Sequence, residues 1–125
     1  MSTPLNTPVQ VLAQSINQGT VFSASLAVPA GAKQVSVDGI ISAADAANPL
    51  SNINLVTLFF CYDAQGLAWM TEATQQWNGI VGGNPISLQI GLQARGGQPV
   101  TFVKMSYDIP ASAPLSVGAT LTFLP

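Results

Sequence analysis

Two carboxylates and two tryptophans lie in one short stretch, DAQGLAWMTEATQQWNG, at positions 63–79. Asp63 and Glu72 could in principle hydrolyse a glycoside, because that reaction needs only a pair of carboxyl groups. Asp63, however, lies in a turn, where an aspartate bonds backbone amides, and Glu72 is expected on the strand face opposite the tryptophans. The chain also has no histidine, the usual general base near neutral pH. We therefore predict that the protein is not an enzyme and has no catalytic residues.

The two tryptophans, Trp69 and Trp77, are eight positions apart. If a strand runs back from a turn at 63–66, both fall on one face of it, because side chains alternate along a strand. One interpretation is an aromatic ligand platform for sugar rings, with amide side chains nearby at Gln75, Gln76 and Asn78. The favoured interpretation is packing, in the core or at a subunit contact, where each indole would bury on the order of 200 Å².

Metal and cofactor chemistry has no support in the sequence. Asp38, Asp45 and Asp108 are dispersed, and none belongs to an Asp-x-Asp-x-Asp-Gly calcium loop. The glycine-rich run GIVGGNP lacks the lysine of a phosphate-binding loop. Cys61 is the only cysteine, so it cannot form an internal disulfide, and we predict that it is a small buried apolar residue. No cofactor and no metal site are predicted.

Composition excludes several classes of partner. Only 6% of the 125 residues are charged, and Lys33, Arg95 and Lys104 are the only cations. Three scattered cations cannot form the basic stripe that binds a phosphate backbone, so nucleic acid is not expected as a partner. The longest nearly apolar run, 55–62, is far shorter than the roughly 20 residues of a membrane-spanning helix. The first residues, MSTPLNTP, have no features of a secretory signal, which predicts synthesis in the cytoplasm.

Alternation of apolar and polar residues is the dominant pattern, as in 20–28, where Phe22, Ala24, Leu26 and Val28 would share one face. Turn formers separate such segments every ten to fifteen residues. The pattern predicts an all-β fold, a two-sheet antiparallel sandwich of about eight strands, jelly-roll-like with an immunoglobulin-like alternative. We expect a flexible N-terminal arm at 1–8, a single sandwich domain at 9–125 and one short helical turn that Ser42 would cap. The eight predicted strands are 9–15, 20–28, 33–41, 53–63, 67–77, 86–92, 99–108 and 116–123.

Residues 54–62 depart from the alternation because both faces of this segment are apolar. One face fits the core, and the other needs cover from a bulge, from a loop at 42–52 or from another subunit. A chain with so few charges has little electrostatic protection against association, which favours the subunit. We expect the protein to work as a homo-oligomer, for which a trimer is one candidate. The candidate interface residues are Leu5, Val56, Leu58, Phe60 and Tyr62.

Three quoted runs carry a family resemblance: LAVPAGAKQVSVDGIISAADAANP, YDAQGLAW and VTFVKMSYDIPASAPLSVGATLTF. Over residues 26–123 the chain resembles small β-sandwich virion proteins of tailed bacteriophages, in which similar turns, an Ala-Asp-rich loop, an Asp-x-x-Gly-x-x-Trp hairpin and a terminal glycine-containing strand recur. The resemblance implies a capsid decoration or cement protein in the virion, made in the host cytoplasm, whose partners are the major capsid protein and copies of itself. The alternative is a carbohydrate- or receptor-binding β-sandwich module.

Overall fold

Nine β-strands make up the regular secondary structure of residues 3–16, 19–43, 53–78, 84–109 and 115–125, the part of the chain that the computed structural model describes. The all-β prediction is confirmed for these residues. The strands are β1 (Val9–Ile16), β2 (Gly19–Phe22), β3 (Leu26–Ala27), β4 (Gln34–Ala43), β5 (Ile53–Cys61), β6 (Trp69–Asn78), β7 (Asn84–Gly91), β8 (Phe102–Ile109) and β9 (Leu115–Leu124).

The strands form two antiparallel sheets. One has the order β1-β9-β4-β7, and the other has the order β2-β8-β5-β6, with β3 also pairing with β8. If β2 and β3 count as one interrupted strand, successive strands lie in opposite sheets throughout, except for the β5–β6 hairpin. Strands that alternate between two sheets in this way are the jelly-roll arrangement. The jelly-roll prediction is therefore confirmed, and the immunoglobulin-like alternative is not.

The core lies between the sheets and follows the predicted alternation most clearly in β4 and β9. Val35 and Val37 from β4 are fully buried, as are Leu121 and Phe123 from β9. Ser36 and Thr122, which lie between these residues and pair with each other, are polar and face outward, so one face of each strand excludes water while the other contacts it. Burial of these branched and aromatic side chains provides most of the favourable free energy of folding.

Strand 20–28 was predicted as continuous, and the structure divides it at Ser23. The buried Ser23 hydroxyl accepts the Met105 backbone N–H at 3.0 Å and donates to the Ala24 carbonyl at 2.9 Å. A serine side chain that bonds the backbone in this way replaces ladder hydrogen bonds and interrupts a strand. The interruption separates Phe22, which is 53% exposed, from Leu26, which packs on the core. The prediction that these two share a face was wrong.

Strand β5 corrects the predicted interface. Val56, Leu58 and Phe60 are 0%, 0% and 1% exposed within this single chain, so they belong to its own core and are not available to a partner. Phe59 takes an outward position, opposite Lys104. Because both faces of this segment are apolar, alternation gave no sign of which one faces inward. Cys61 is also fully buried, which confirms its predicted burial.

The N-terminal segment is attached to the sandwich at Leu5. Leu5 forms a parallel bridge with Phe123 and packs against the core, and the Asn6 N–H donates to the Phe123 carbonyl at 2.8 Å. Leu5 therefore packs in part on its own domain, and its role as an interface residue stays a prediction. The predicted helical turn is replaced at its start by β4, which includes Ser42 and Ala43, and its remainder lies outside the described residues, as does most of the loop at 42–52.

One hydrogen bond joins the two sheets through the core. The Tyr107 hydroxyl, from β8, donates to the Gly118 carbonyl of β9 at 2.8 Å. Gly39 of β4 makes room for it, because a Cβ at that position would lie within van der Waals overlap of the hydroxyl oxygen. Burial raises the pKa of Tyr107, since the ionised phenolate would lose its solvation. The neutral phenol therefore ties the sheets together.

Candidate functional site

The outer surface of the five-stranded sheet carries an aromatic cluster around one lysine. Phe22, Phe59 and Trp69 come from β2, β5 and β6, and Lys104 of β8 lies directly opposite Phe59 in the strand register. The Phe22 and Phe59 ring centroids are 5.9 Å apart and tilted by 44°. Side chains on neighbouring strands meet in this way when they occupy the same face of a sheet. We call these four residues the aromatic face.

The Lys104 ammonium lies over all three rings. Its Nζ is 4.3 Å from the Trp69 ring centroid, 5.0 Å from that of Phe22 and 5.8 Å from that of Phe59. The negative face of each ring attracts the cation, with an energy of about 0.5–1 kcal/mol at an exposed site. The aliphatic stem of the lysine covers apolar surface at the same time. This arrangement fixes the cluster while leaving Phe22 more than half exposed.

The predicted two-tryptophan platform is disrupted by a β-bulge in β6. Trp77 pairs with Asn54 and Trp69 with Cys61, and the register shifts where Leu58 pairs with Ala73 and Phe59 with Thr71. The bulge leaves Glu72 as an extra residue. The two tryptophans therefore take register positions that belong to opposite faces, which corrects their predicted shared face. The Trp77 side chain lies outside the described residues, and Trp69 is half-buried.

The turn between β5 and β6 is organised by Asp63. Its carboxylate accepts the backbone N–H groups of Gln65, Leu67 and Ala68, at 2.9, 3.1 and 2.6 Å. These bonds hold the pKa of the Asp63 carboxyl below its usual value, chiefly through Leu67 and Ala68, because they favour the charged form. The loop presents Leu67, which is 80% exposed. Asp63 thus has the backbone-capping role that was predicted for it.

Glu72 faces a different environment, a cleft between the edge strands β6 and β7. Its Oε1 accepts the Tyr62 hydroxyl at 3.0 Å, and its Oε2 accepts Arg95 Nη2 at 2.8 Å. The Glu72 side chain is 8% exposed and that of Arg95 is 54% exposed. Burial and the Glu72 carboxylate raise the pKa of Tyr62. Arg95 also lies 6.0 Å from the centre of the Tyr62 ring.

The cleft has a volume of about 280 Å³, and Phe60 and Ile90 are among the side chains that line it. Tyr62, a predicted interface residue that follows β5, lines this cleft, and its role in an interface stays a prediction. The two carboxylates considered for hydrolysis bond different partners, Asp63 the backbone of its own turn and Glu72 the Arg95 and Tyr62 side chains.

Sequence reasoning missed Phe22, Phe59 and Lys104 as a cluster, and it missed Arg95. One feature of the sequence could have pointed to the pair of Glu72 and Arg95, because they are the only glutamate and the only arginine of the chain. Within the described residues, no group of three or more histidine, cysteine or acidic side chains could hold a metal ion. The same part of the chain contains no helix long and apolar enough to cross a membrane.

No protein-family model matches the chain, and no curated protein matches it. Among solved structures it is similar to the CBM22-2 xylan-binding domain of Xyn10C from Paenibacillus barcinonensis, with a TM-score of 0.49 and 11% identity over 96% of this chain and 93% of that domain. A chain of the cryo-EM structure of Broad bean stain virus has a TM-score of 0.49 and 8% identity over 98% and 88% of the two chains.

The CBM22-1 xylan-binding domain of the same Xyn10C has a TM-score of 0.43 and 14% identity, over 94% of this chain and 85% of that domain. These values describe a distant similarity of architecture. They transfer no ligand and no partner to this chain.

Proposed function

We propose that this chain is a non-enzymatic structural protein of a tailed-phage virion, a decoration or cement protein that stabilises the head. In this proposal it binds the major capsid protein, and copies of itself, through the aromatic face. Its contribution is apolar area buried at the joints between capsid subunits. The site of action would be the virion surface, after synthesis in the host cytoplasm.

The observation that carries the assembly part is the aromatic face itself. Phe22 is 53% exposed, and its ring lies beside those of Phe59 and Trp69 around the Lys104 ammonium. Exposed apolar groups that cluster on one surface are typical of protein contacts, where aromatic residues are enriched and charges are depleted. With formal net charge −2 on 125 residues, little electrostatic repulsion opposes such contacts.

The virion part of the proposal rests on the family resemblance. Some of the residues that recur in that family have an identifiable structural role in this chain. In the turn Val28 to Gly31, Gly31 has a φ of +87°, and in the hairpin Gly66 has a φ of +73°. Glycine adopts such conformations without the steric cost of a Cβ. Gly118, in the terminal strand, accepts the Tyr107 hydroxyl. The Ala-Asp-rich loop of the resemblance lies outside the described residues.

The carbohydrate-binding alternative loses its predicted platform. The predicted platform had two indoles on one face, and the bulge at Glu72 separates the register positions of Trp69 and Trp77. One face of the Trp69 ring is also occupied by the Lys104 ammonium. The aromatic face is therefore better suited to a protein surface than to a chain of sugar rings.

Binding to capsid shells tests the proposal. The full chain is mixed with shells of the major capsid protein encoded by the same genome, and co-sedimentation is measured. We expect saturable binding that changes little between low and high salt, because apolar burial is screened far less than charge pairing. Phe22→Asp should abolish the binding, and Thr122→Asp, on the outer face of the other sheet, should preserve it. Absence of binding by the wild-type chain, or equal loss in both variants, would reject the proposed contact.

A second measurement addresses the stabilising role. Virions that lack this chain should lose infectivity faster on heating or osmotic shock, and added purified protein should restore resistance. Unchanged resistance would contradict the cement role even if binding occurs. Sedimentation of the free chain over a range of concentrations tests the homo-oligomer separately, since a monomer throughout the micromolar range would remove self-association from the proposal.

A further inference from the structure

The cleft between β6 and β7 uses rare residues in an unusual way. The chain has eight charged side chains, and its only glutamate and only arginine meet here, with Glu72 Oε2 accepting Arg95 Nη2 at 2.8 Å. Glu72 is 8% exposed but Arg95 is 54% exposed, and an ion pair that solvent reaches adds only about 0–1 kcal/mol to stability. The pair therefore calls for an explanation other than folding.

The position of Glu72 points the same way. Glu72 is the extra residue of the bulge in β6, and a bulge redirects the side chain that it inserts. Here the redirected carboxylate lines the cleft together with Tyr62 and Arg95. The neighbouring walls include Phe60 from one sheet and Ile90 from the other, with Ala94 and Gln93 at the side of Arg95. The cleft thus combines an apolar wall with one polar cluster, as small-molecule sites do.

From this arrangement we infer that the cleft is a binding site for a vicinal diol of a neutral saccharide. Each hydroxyl of such a diol both donates and accepts a hydrogen bond. The guanidinium of Arg95 has five N–H donors, of which Glu72 takes one, and the carboxylate of Glu72 has about four acceptor positions, of which Tyr62 and Arg95 take two. The diol hydroxyls bond to the remaining N–H donors of Arg95 and the remaining acceptor positions of Glu72. The C–H groups of the sugar pack against Tyr62 and Ile90.

The charge of the site selects against other small ligands. Glu72 and Arg95 together carry no net charge, so the site offers little net attraction to an anion such as phosphate or to a cation. A zwitterionic amino acid would have to separate the two charges to bind both, and their direct contact leaves no gap between them. A diol adds hydrogen bonds without separating the ion pair. The volume of about 280 Å³ is at the small end of ligand pockets, which suits one sugar unit or the end of a chain.

This inference is independent of the proposed capsid contact, which uses the aromatic face. The test is an NMR titration of the full isotope-labelled chain with neutral sugars: glucose, galactose, mannose, xylose and their disaccharides. We expect saturable shifts of the backbone amides of Gln93, Ala94 and Arg95, with dissociation constants in the millimolar range for single sugars. Inorganic phosphate and free glycine are titrated in parallel, and neither should produce these shifts.

Two variants locate the site, and the first has a matched control at the same position. Ala94→Trp fills the mouth of the cleft without changing the ion pair and should abolish the shifts, whereas Ala94→Ser should keep them. Arg95→Lys retains the charge but loses the planar fork and should weaken binding about tenfold or more, about 1.4 kcal/mol. Thermal unfolding verifies that each variant is folded, and Phe22→Asp should bind sugar as the wild type does.

Three results would overturn the inference. The first is the absence of saturable shifts with every sugar of the panel. The second is a set of shifts that persists unchanged in Ala94→Trp. The third is saturation by phosphate or glycine in place of sugar, which would identify an ion site. Shell binding by the same samples separates this outcome from failure of the proposed capsid contact.

Discussion

The two outer faces of this sandwich differ sharply, although the same core supports both. On the four-stranded sheet, outward polar side chains bond one another: Asp38 accepts the hydroxyls of Ser36 and Ser87, and Gln89 donates to Gln34. We call this the polar face. On the five-stranded sheet, the corresponding positions hold Phe22, Phe59, Trp69 and Lys104, the aromatic face.

The difference shows where the few polar groups of the molecule are used. A face of hydroxyls, amides and the Asp38 carboxylate is well hydrated, so we expect it to discourage contact. The aromatic face has one cation, which its own rings engage. Desolvating it costs little beyond that lysine, and covering it gains about 25 cal/mol for each Å² of apolar area removed from water. We therefore expect the polar face to remain in contact with solvent and the aromatic face to form the contacts.

The largest effect should separate the inside of the five-stranded sheet from its outside. Phe60→Ala removes a fully buried ring and leaves a cavity, and we expect it to lower the free energy of unfolding by about 3–5 kcal/mol. Phe22→Ala, on the aromatic face of the same sheet, should lower it by less than about 1 kcal/mol. Urea unfolding of both variants measures the difference. Equal losses would mean that Phe22 contributes to folding as much as a core side chain does. The aromatic face would then be part of the folded core and not a surface that is free for contacts.

The next effect concerns the hydrogen bond from Tyr107 to Gly118, which joins the two sheets. Gly39→Ala places a Cβ against the Tyr107 hydroxyl and within 3.0 Å of the Gly118 carbonyl, so we expect a loss of about 1–3 kcal/mol from overpacking. Gly91→Ala is the matched control, because only the Gln93 side chain comes within 4 Å of its Cβ. Thermal unfolding compares them, and similar midpoints for the two variants would show that the tie is not rigid.

The tie should also appear in the pH dependence. The pKa of Tyr107 is raised from 10.0, so its contribution to stability is complete below the unfolded pKa and is lost as the pH rises toward the higher folded value. Tyr107→Phe removes this ionisation. The wild type should therefore lose stability above about pH 10 more steeply than Tyr107→Phe does, as alkaline unfolding curves would measure. Parallel curves for the two proteins would contradict the buried, hydrogen-bonded phenol.

A smaller effect compares the two faces directly. Lys104→Met removes the ammonium from the aromatic face and should cost about 0.5–1 kcal/mol of stability while promoting association. Asp38→Asn, on the polar face, keeps the shape and weakens hydrogen bonds from two serines, with a cost of about 0.5–1.5 kcal/mol and no change in association. Chemical unfolding and light scattering record both quantities. Stronger association of the Asp38→Asn chain would reverse the roles assigned to the faces.

The smallest effect is expected in the loop that borders the aromatic face. The pKa of Asp63 is lowered from 3.8, so its contribution is present at neutral pH and is lost as the pH falls below the unfolded value toward the folded one. Asp63→Asn should remove this acid dependence and loosen Leu67, which acid titration and hydrogen exchange of the Leu67 and Ala68 amides would detect. Equal amide protection in both proteins would contradict the capping role.

The sequence predicted most of the fold because alternation is a direct consequence of strand geometry. Val35 and Val37 of β4 and Leu121 and Phe123 of β9 all face inward, as the alternation predicts. The pattern failed where a local backbone event changed its phase. Ser23 interrupts one strand and the bulge at Glu72 another, and each moves the residues beyond it to the other face.

The functional surfaces were harder to predict for a related reason. In β5 both faces are apolar, so the identity of Val56, Leu58 and Phe60 could not indicate whether they face the core or a partner. The aromatic face joins residues from four strands, and only the sheet order brings Phe22 next to Lys104. The cleft depends on the bulge and on a loop beyond β7. Pairing across strands, which alternation within one strand does not encode, determines all three.

The aromatic face as the contact surface is the central claim, and hydroxyl-radical footprinting of the chain bound to capsid shells tests it most directly. Side-chain oxidation is compared between the free and the shell-bound protein. We predict strong protection of Phe22 and Trp69 on binding, with unchanged oxidation of Leu124 at the edge of the polar face. Unchanged reactivity of Phe22 and Trp69 in the bound protein, or protection of Leu124 in their place, would contradict the account.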